Sequence, residues 1–552
     1  MKTHIFWLAA ALAAALALAA ANLVFGNLNQ DEGWYLYAAR LIATGQVPYR
    51  DFAFTQGPVM PYVYAFFQPV INWGGLAAGR GITALLGLAG AVLAAVLAGK
   101  LASSGLKSSA ALLCFSLVAV NVYQSYFCTV VKTYSLSILL LVLAFLLLHR
   151  AIAGSGGRIA VMLSAALLAL AAATRASAAV ALPIVFCLLL WERRKIKFPA
   201  WLYFFLGGAI VSVLVLGPFL AKCPFNFYYF AGRYHSLREG GGLAETLVFK
   251  CGFLSRVFQA YFVCFAVWLA ALAIKLTSTT RGHPEQSEGS PPHKQSWQRF
   301  LALFGMTPHP SSLETCHSDL NRVFPLLKRA LWLCAIAISL VHFFAPFPYD
   351  DYEVFVYPLF AVAVSAMIIG VMPAQAAKYL LPAIFCLCLV SSTSSPINQD
   401  WFIEGRELIW WKAKDSPQLS KLRKTSDKIR SLCKPGDLLL TQDPYLAVES
   451  GTTLPHGLEL GQFSYFPDLT REQALKLNVL NRELMIELLE HCPAKMAALS
   501  GYAFAMKSPA VSRISAEDKA TFLSIISNRY ESIEIAPNFG QASTELRLYR
   551  KK

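Results

Sequence analysis

Charged residues are scarce in this sequence of 552 residues: Asp, Glu, Lys and Arg make up 14%, whereas apolar residues make up 56%. The mean hydropathy is +0.50. Soluble domains of this length do not have such a balance, so a soluble globular class is excluded. The 12 cysteines form no CxxC pair and show no metal-ligand spacing. Most of them are therefore expected to be inert small apolar residues.

Negative charge is also in short supply, with 32 Asp and Glu against 48 Lys and Arg, a formal net charge of +16. Such an excess could suggest nucleic-acid binding. The basic residues fall mostly between apolar segments, however, where Lys and Arg act as topology signals. The sequence therefore predicts a protein whose partner is the lipid bilayer and not a nucleic acid.

Long apolar segments are abundant and define the fold class. A helix needs about 20 apolar residues to cross a bilayer. The run from Arg158 to Glu192 is too long for one crossing, about 50 Å at 1.5 Å per residue, and is interpreted as a hairpin with Arg175 at its tip. The sequence thus predicts a mainly α, polytopic helical membrane protein with about 11 transmembrane helices. They are placed near 5–22, 76–99, 109–123, 133–148, 159–174, 176–191, 200–221, 257–274, 330–346, 353–372 and 378–392.

The distribution of Lys and Arg predicts the orientation in the membrane. Basic residues cluster at one side of the predicted bundle, and the positive-inside rule makes that side cytoplasmic. The N-terminus is then cytoplasmic, whereas the loop that begins at Asp31 and everything after about residue 392 are extracytoplasmic. We predict a multi-pass protein of the bacterial inner (plasma) membrane. The first apolar segment could also be a cleaved signal peptide.

Two regions differ from the apolar segments. Residues 276–326 are rich in Pro, Ser and His without amphipathic period, which predicts a disordered cytoplasmic insertion within a transmembrane domain 1–392. Residues 393–552 repeat a helix–turn–strand pattern three times and end on a last strand, TELRLYR. That alternation predicts a separate extracytoplasmic α/β domain. No glycine-rich phosphate loop follows its strands, so nucleotide binding there is not indicated.

The predicted insertion should be dispensable. Deleting residues 281–322 is expected to leave expression and activity near normal, because the segment lies opposite the external loops and shortening a long surface loop changes the chain entropy little. Membrane expression and turnover of the deletion variant measure this. Loss of activity in a variant that still folds would contradict the prediction.

The most informative motif is the acidic pair Asp31-Glu32, which opens the segment NQDEGWYLYAARLIATGQVPYRDFAFTQGPVMPYVY after the first apolar helix. Carboxylates beside a membrane are costly to hold there and usually serve chemistry or an ion path. Acids also favour helix N-termini, so the same pair could cap a helix that begins at Gly33. The residues alone leave both roles open.

This segment resembles a known family. DEGWYLYAAR at 31–40, GQVPYRDF at 45–52 and GP at 57–58 are similar to the first external loop of the C-type (GT-C) membrane glycosyltransferases, with most likeness to the protein O-mannosyltransferase and lipid A aminoarabinose transferase branch. Looser matches are Thr174-Arg175 and PFPYDDYEVFVYP at 346–358. The resemblance implies an enzyme that moves a hexosyl or pentosyl sugar from a polyprenyl-phosphate donor, with inversion, to an extracytoplasmic lipid, glycan or protein acceptor.

The resemblance also implies roles for individual residues. Asp31 is expected to be the catalytic base that removes the acceptor proton, and Glu32 to orient the acceptor or to shape the loop. The departing phosphate needs cations at the membrane surface, for which the candidates are Arg175, Lys132 and Arg256. The expected substrate-binding residues are Asp51, Tyr35, Tyr349 and Asp351.

Other interpretations remain open. Arg175 could be an interface residue without a ligand, Lys132 an interface lysine, and the acids at 350–351 an ordinary turn. The external acids are too dispersed in the sequence to show whether the reaction uses a divalent metal. No cofactor is therefore predicted, and a divalent metal is left open. Two other function classes are a membrane transporter or flippase of envelope lipids and a non-catalytic scaffold. Asp31→Ala would abolish transfer in an enzyme, alter flux in a transporter and leave a scaffold unaffected.

Overall fold

The computed structural model describes residues 2–153, 156–194, 196, 198–236, 242–280, 318–346, 348–372, 374–394, 417–501, 514–541 and 543–552. The core of the predicted insertion lies outside these residues, as does the segment 395–416. The described chain has two parts. An apolar helical part extends to residue 394, and a smaller part from residue 417, named here the C-terminal unit, contains helices and strands.

The apolar part is built from helices because each backbone polar group must find its partner within its own segment in lipid. Its α-helices are α1 (Lys2–Phe25), α2 (Gln30–Ala43), α3 (Val59–Phe66), α4 (Gln68–Leu101), α5 (Lys107–Ala119), α6 (Val122–Phe127), α7 (Tyr134–Ile152), α8 (Gly157–Thr174), α9 (Ala181–Trp191), α10 (Ala200–Lys222), α11 (Pro224–Tyr228), α12 (Tyr234–Ser236), α13 (Leu243–Thr280), α14 (Ser318–Phe344), α15 (Tyr357–Val371) and α16 (Ala374–Ser394).

Seven of the described helices are long and apolar enough to cross a membrane, and four further apolar helices have 10–17 residues. Each of the eleven predicted apolar segments falls on one of these helices. The predicted hairpin is present as well, since α8 ends at Thr174 and a short 3₁₀ turn (Ala176–Val180) leads into α9. The prediction of a polytopic helical membrane protein is therefore confirmed.

The C-terminal unit contains the predicted alternation of helices and strands. Its elements are α17 (Gln418–Leu432), β1 (Leu439–Thr441), α18 (Pro444–Ser450), α19 (Arg471–Leu477), α20 (Arg482–His491), β2 (Met496–Leu499), α21 (Ala516–Arg529), β3 (Tyr530–Phe539) and β4 (Thr544–Lys551). Strands β1 and β2 run parallel, β2 and β4 run antiparallel, and β3 and β4 form an antiparallel hairpin, which gives the order β1-β2-β4-β3.

The helix α2 lies between the two parts of the molecule. On one side it contacts α3 and α4 of the apolar part, and on the other it contacts α18 of the C-terminal unit. Its central residues are buried. The acidic pair therefore sits where the apolar helices and the C-terminal unit meet.

Candidate active site

The acidic pair occupies the first turn of α2 because the residues before it form a helix cap. The side chain of Asn29 accepts a hydrogen bond from the N–H of Asp31 (3.1 Å), and the N–H of Asn29 donates to a carboxylate oxygen of Glu32 (3.0 Å). The Asn29 side chain also accepts from the N–H of Glu32, and this bond together with the return bond from Asn29 to Glu32 forms a capping box. Glu32 therefore caps the helix, one of the roles that its position in the sequence left open.

Glu32 is also half of a fully buried ion pair. Arg80 of α4 donates from Nε to Oε1 (2.8 Å) and from Nη2 to Oε2 (2.6 Å), and neither side chain is exposed to solvent. The N–H of Val131 donates to Oε1 as well (3.2 Å). Arg80 further donates to the backbone carbonyls of Leu23, Gly26 and Asn27. Both oxygens of Glu32 are engaged, which favours the loop-shaping role over contact with an acceptor.

Asp31 is the accessible member of the pair, with 24% of its side chain exposed. Its Oδ1 accepts a hydrogen bond from the indole N–H of Trp34 (3.2 Å), and its Oδ2 lies 3.1 Å from Lys132 Nζ. Lys132 Nζ also lies 3.0 Å from Asp351 Oδ2. One ammonium group thus bridges two carboxyl groups that are far apart in the sequence.

Arg175 has an aromatic environment close to this bridge. Its guanidinium carbon is 4.7 Å from the ring centroid of Tyr134 and 4.5 Å from that of Tyr352, and its Nη1 donates to the hydroxyl of Thr133 (3.2 Å). Its Nε is buried and has no hydrogen-bond partner among the described residues. A buried donor without an acceptor costs about 1–3 kcal/mol. The guanidinium group therefore retains capacity to bind an anion.

Tyr134 completes the set by donating its hydroxyl to Asp351 Oδ2 (2.8 Å). Burial raises the pKa of Asp351, but Lys132, Tyr134 and Arg175 together outweigh burial and hold this pKa below its ordinary value. Asp31, Lys132, Tyr134, Arg175 and Asp351 are named here the charge cluster. It contains two carboxyl groups and two cations at one end of the apolar helices.

Tyr35, an expected substrate-binding residue, lies next to the charge cluster. Its ring stacks on Trp34 with 3.8 Å between ring centroids. Burial raises the pKa of the Tyr35 phenol, the proximity of Asp31 raises it further, and Arg175 and Lys132 lower it less. The phenol therefore stays protonated near Asp31, where it can donate a hydrogen bond to a bound oxygen atom.

The turn that begins at Asp350 is held by its own ion pair. Asp350 accepts hydrogen bonds from the hydroxyl of Tyr123 (2.5 Å) and from Arg256 Nε (2.8 Å). Arg256, a candidate for the donor phosphate, thus contacts the residue next to a member of the charge cluster. The ring of Tyr349 lies 5.5 Å from that of Tyr352, and the ring of Tyr352 in turn contacts Arg175.

His342 connects this turn to the hairpin tip. Its Nδ1 lies 2.8 Å from a carboxylate oxygen of Glu353, and its Nε2 lies 2.8 Å from the hydroxyl of Ser177. The side chain is almost completely buried. Both ring nitrogens are engaged, which is the arrangement of a packed histidine that fixes the 350–355 turn relative to Arg175.

Asp51 belongs to a different part of the loop. It pairs with Arg50 through two contacts of 2.8 Å and accepts a hydrogen bond from the N–H of Val47 (2.7 Å). These bonds close a turn in which Tyr49 has a φ of 67°. The hydrogen bonds from Arg50 hold the pKa of Asp51 below its ordinary value. The contacts of Asp51 are thus within its own turn, and the charge cluster is built from other elements.

Sequence reasoning missed Arg80 and Tyr134. Arg80 had a usable signal, since an arginine at the edge of a long apolar segment is expensive there and marks a paired or functional position. Tyr134 had none, because tyrosines are frequent in this sequence and its partner Asp351 is 217 residues away. Among the described residues, no three His, Cys, Asp or Glu side chains are arranged to hold a metal ion.

Comparison with family models and with curated proteins finds no match. Solved structures do match. ArnT from Cupriavidus metallidurans in the apo state has a TM-score of 0.48 and 14% identity over 99% of this chain and 98% of that chain. The same protein bound to undecaprenyl phosphate has a TM-score of 0.47 and 14% identity over 98% of this chain and 97% of that chain. An Archaeoglobus fulgidus oligosaccharyltransferase in complex with Zn and sulfate has a TM-score of 0.47 and 12% identity over 89% of this chain and 67% of that chain.

These similarities cover between 89% and 99% of this chain. The identities are low and the TM-scores are below 0.5. The roles of individual residues therefore have to be read from the geometry of this chain.

Proposed function

We propose that this protein is a membrane glycosyltransferase that moves a sugar from a polyprenyl-phosphate donor to an extracytoplasmic acceptor with inversion. The observation that carries the proposal is the charge cluster. Asp31 is an accessible carboxyl group that shares Lys132 with Asp351. Tyr134 donates to Asp351 and its ring contacts Arg175, a guanidinium group with an unused buried donor. Asp31 and Arg175 both lie at one end of apolar helices, where the phosphate of a membrane-dissolved lipid would arrive.

The proposed reaction is a single displacement. Asp31 removes the proton from an acceptor hydroxyl, and the acceptor oxygen attacks the anomeric carbon of the sugar. The bond between that carbon and the lipid-phosphate oxygen breaks, and the electron pair leaves with the phosphate. Arg175 stabilises the negative charge that develops there, because charge-assisted bonds from a guanidinium to phosphate are strong and directional. No nucleotide is needed, since the donor is already activated.

Lys132 is assigned a shared role. Its ammonium group joins Asp31 and Asp351, which fixes the position of the base. A donor phosphate would compete with Asp351 for the same ammonium group. Arg256 is assigned an indirect role, because its contact with Asp350 supports the turn that carries Asp351.

The expected orientation places the charge cluster outside the cytoplasm. The distribution of basic residues supports this side, together with a cytoplasmic N-terminus. Alkaline phosphatase fused after Lys552 should then be active in living cells, because that enzyme matures only outside the cytoplasm. An inactive fusion that is expressed at full length would reverse the orientation.

The test of the donor site is Arg175→Ala. We expect donor affinity to fall by about 10–100-fold together with a loss of transfer, and Arg175→Lys to recover it only in part, since lysine lacks the bidentate fork. Binding of a radiolabelled polyprenyl-phosphate sugar to the purified variants measures the affinity, and release of polyprenyl phosphate measures the transfer.

A matched control is Arg471→Ala, which removes a surface arginine paired with Glu487 in the C-terminal unit. Its donor affinity should equal that of the wild type. Unchanged affinity in Arg175→Ala would move the phosphate site to Lys132 or Arg256. A wild-type protein that neither binds nor consumes any polyprenyl-phosphate sugar would overturn the proposed function itself.

A further inference from the structure

The last turn of α2 is fastened to the C-terminal unit by one arginine. Arg40 donates from Nη1 to the carbonyls of Thr452 (2.7 Å) and Ala447 (3.1 Å), and from Nη2 to the carbonyl of Val448 (2.9 Å). Two of these carbonyls belong to α18, at the end where a helix leaves its carbonyls unsatisfied and attracts cations. A single guanidinium group thus joins α2 to three backbone positions of the other part.

The first turn of α2 approaches α18 so closely that only glycine fits. A Cβ atom at Gly33 would lie 2.4 Å from the backbone nitrogen of Tyr445, well inside van der Waals contact. One turn further on, the N–H of Leu454 donates to the hydroxyl of Tyr37 (2.8 Å). The surface of α2 that faces the C-terminal unit is therefore in contact along its length.

The C-terminal unit also contacts α4, the helix of the apolar part that carries Arg80. The carboxylate of Glu449 accepts a hydrogen bond from the N–H of Leu76 (2.8 Å), directly after Gly75, where α4 has a non-helical φ of 59°. Glu449 thus caps the long segment of α4 that begins at Leu76. One turn into this segment lies Arg80, the buried partner of Glu32.

We propose that the C-terminal unit positions the catalytic helix, with Arg40 and Glu449 as positioning residues for Asp31. The inference rests on the proposed function, in which Asp31 is the base. Arg40 acts on α2 directly. Glu449 acts through Leu76, Arg80 and Glu32, a continuous series of contacts that ends one residue from Asp31.

This arrangement predicts a particular kinetic signature. The cations proposed to bind the donor phosphate, Lys132 and Arg175, lie on other elements of the apolar part, whereas Asp31 moves with α2. A displacement of α2 by about 1 Å can cost on the order of 10²-fold in rate. Donor binding should change much less, so kcat falls while the donor KM stays within about threefold.

The sharpest test is Gly33→Ala in the full-length protein, because it removes no polar group and forces α2 and α18 apart. The matched control is Gly81→Ala in α4, where a Cβ atom would meet nothing within 4 Å. Both changes replace a helical glycine with alanine. We expect kcat to fall by about 10–100-fold in Gly33→Ala and to stay unchanged in Gly81→Ala. Wild-type kcat in folded Gly33→Ala would overturn the proposal.

Arg40 and Glu449 provide a second test that does not depend on tolerance at Gly33. Arg40→Ala and Glu449→Ala should show the same loss of kcat, and Glu449→Gln should restore activity because an amide oxygen can still accept from Leu76. Equal losses of kcat and donor affinity, in proportion to the fraction of folded protein, would reduce both residues to a general structural role.

Hydrogen–deuterium exchange separates this inference from the proposed function. In Arg40→Ala the amides of residues 30–43 should exchange faster than in the wild type, and those of 134–152 should not change. This readout needs no substrate. Unchanged exchange at 30–43 would overturn the positioning role even if the protein is a glycosyltransferase, whereas faster exchange in a protein without transferase activity would contradict only the proposed function.

Discussion

Replacing Asp31 with asparagine is expected to lower sugar transfer by roughly 10²–10⁴-fold while donor binding persists. The amide has the size of the carboxylate, and its oxygen can still accept the hydrogen bond that Trp34 donates to Oδ1. It cannot take the acceptor proton. Release of polyprenyl phosphate at saturating donor measures transfer, and retention of labelled donor on the purified variant measures binding.

A matched control for this substitution is Asp427→Asn. Asp427 is an exposed carboxylate of α17 that pairs with Arg430 within the same helix, so the change removes one negative charge that does not belong to the charge cluster. Transfer should remain at the wild-type level. Wild-type turnover in Asp31→Asn would remove the base assignment, and a parallel loss of donor binding would reassign Asp31 to holding Lys132 in place.

Replacing Glu32 with alanine is expected to destabilise the protein by about 3–5 kcal/mol, the usual effect of leaving one partner of a buried ion pair uncompensated. Arg80 would keep its three backbone carbonyls but lose its only counter-charge among the described residues. Glu32→Gln should be less damaging, because the amide oxygen can still accept a hydrogen bond. The amount of monodisperse protein that survives a series of temperatures measures this.

The control for Glu32 is Glu487→Ala, which breaks a pair with Arg471 whose two side chains are about half exposed. Exposed pairs contribute about 0–1 kcal/mol, so this variant should resemble the wild type. If Glu32→Ala proved as stable as Glu487→Ala, the pair with Arg80 would not be the element that fixes the start of α2.

Much of the fold could be predicted because lipid imposes one rule on every spanning segment. A run of apolar residues bounded by Lys, Arg, Gly or Pro is helical whatever surrounds it, and this is why each predicted segment falls on a helix. The helix–turn–strand repeats of the C-terminal unit were visible for a similar local reason. Their ends carry turn residues such as Pro435-Gly436, before β1.

The candidate site was predictable only in part. The charge bias predicted that Asp31, Lys132, Arg175 and Asp351 share one side, and these residues do lie together. Pairing within the site was not predictable, because it depends on contacts such as that between Glu32 and Arg80, 48 residues apart. A pattern that repeats every few residues carries no signal for such distances.

The contact of Glu449 with Leu76 could not be predicted from the sequence for the same reason. The two residues are 373 positions apart. The sequence around Glu449 indicates only an ordinary surface acid on a short helix. Gly33 and Gly75 were visible in the sequence, but a glycine reveals only that the backbone is free to turn or to be approached closely. Which chain makes the approach is known only from the folded molecule.

The bond from Arg40 to Ala447 spans 407 residues, and this has a consequence for how the protein is made. At a synthesis rate of roughly 5–20 residues per second, α2 emerges from the ribosome about 20–80 s before the carbonyls that fasten it. A nascent or prematurely terminated chain can therefore contain every member of the charge cluster and still lack a fixed base. Under the proposed function, activity is therefore expected only after residues 447–452 have been made, and incomplete chains left in the membrane should not consume a lipid-linked sugar.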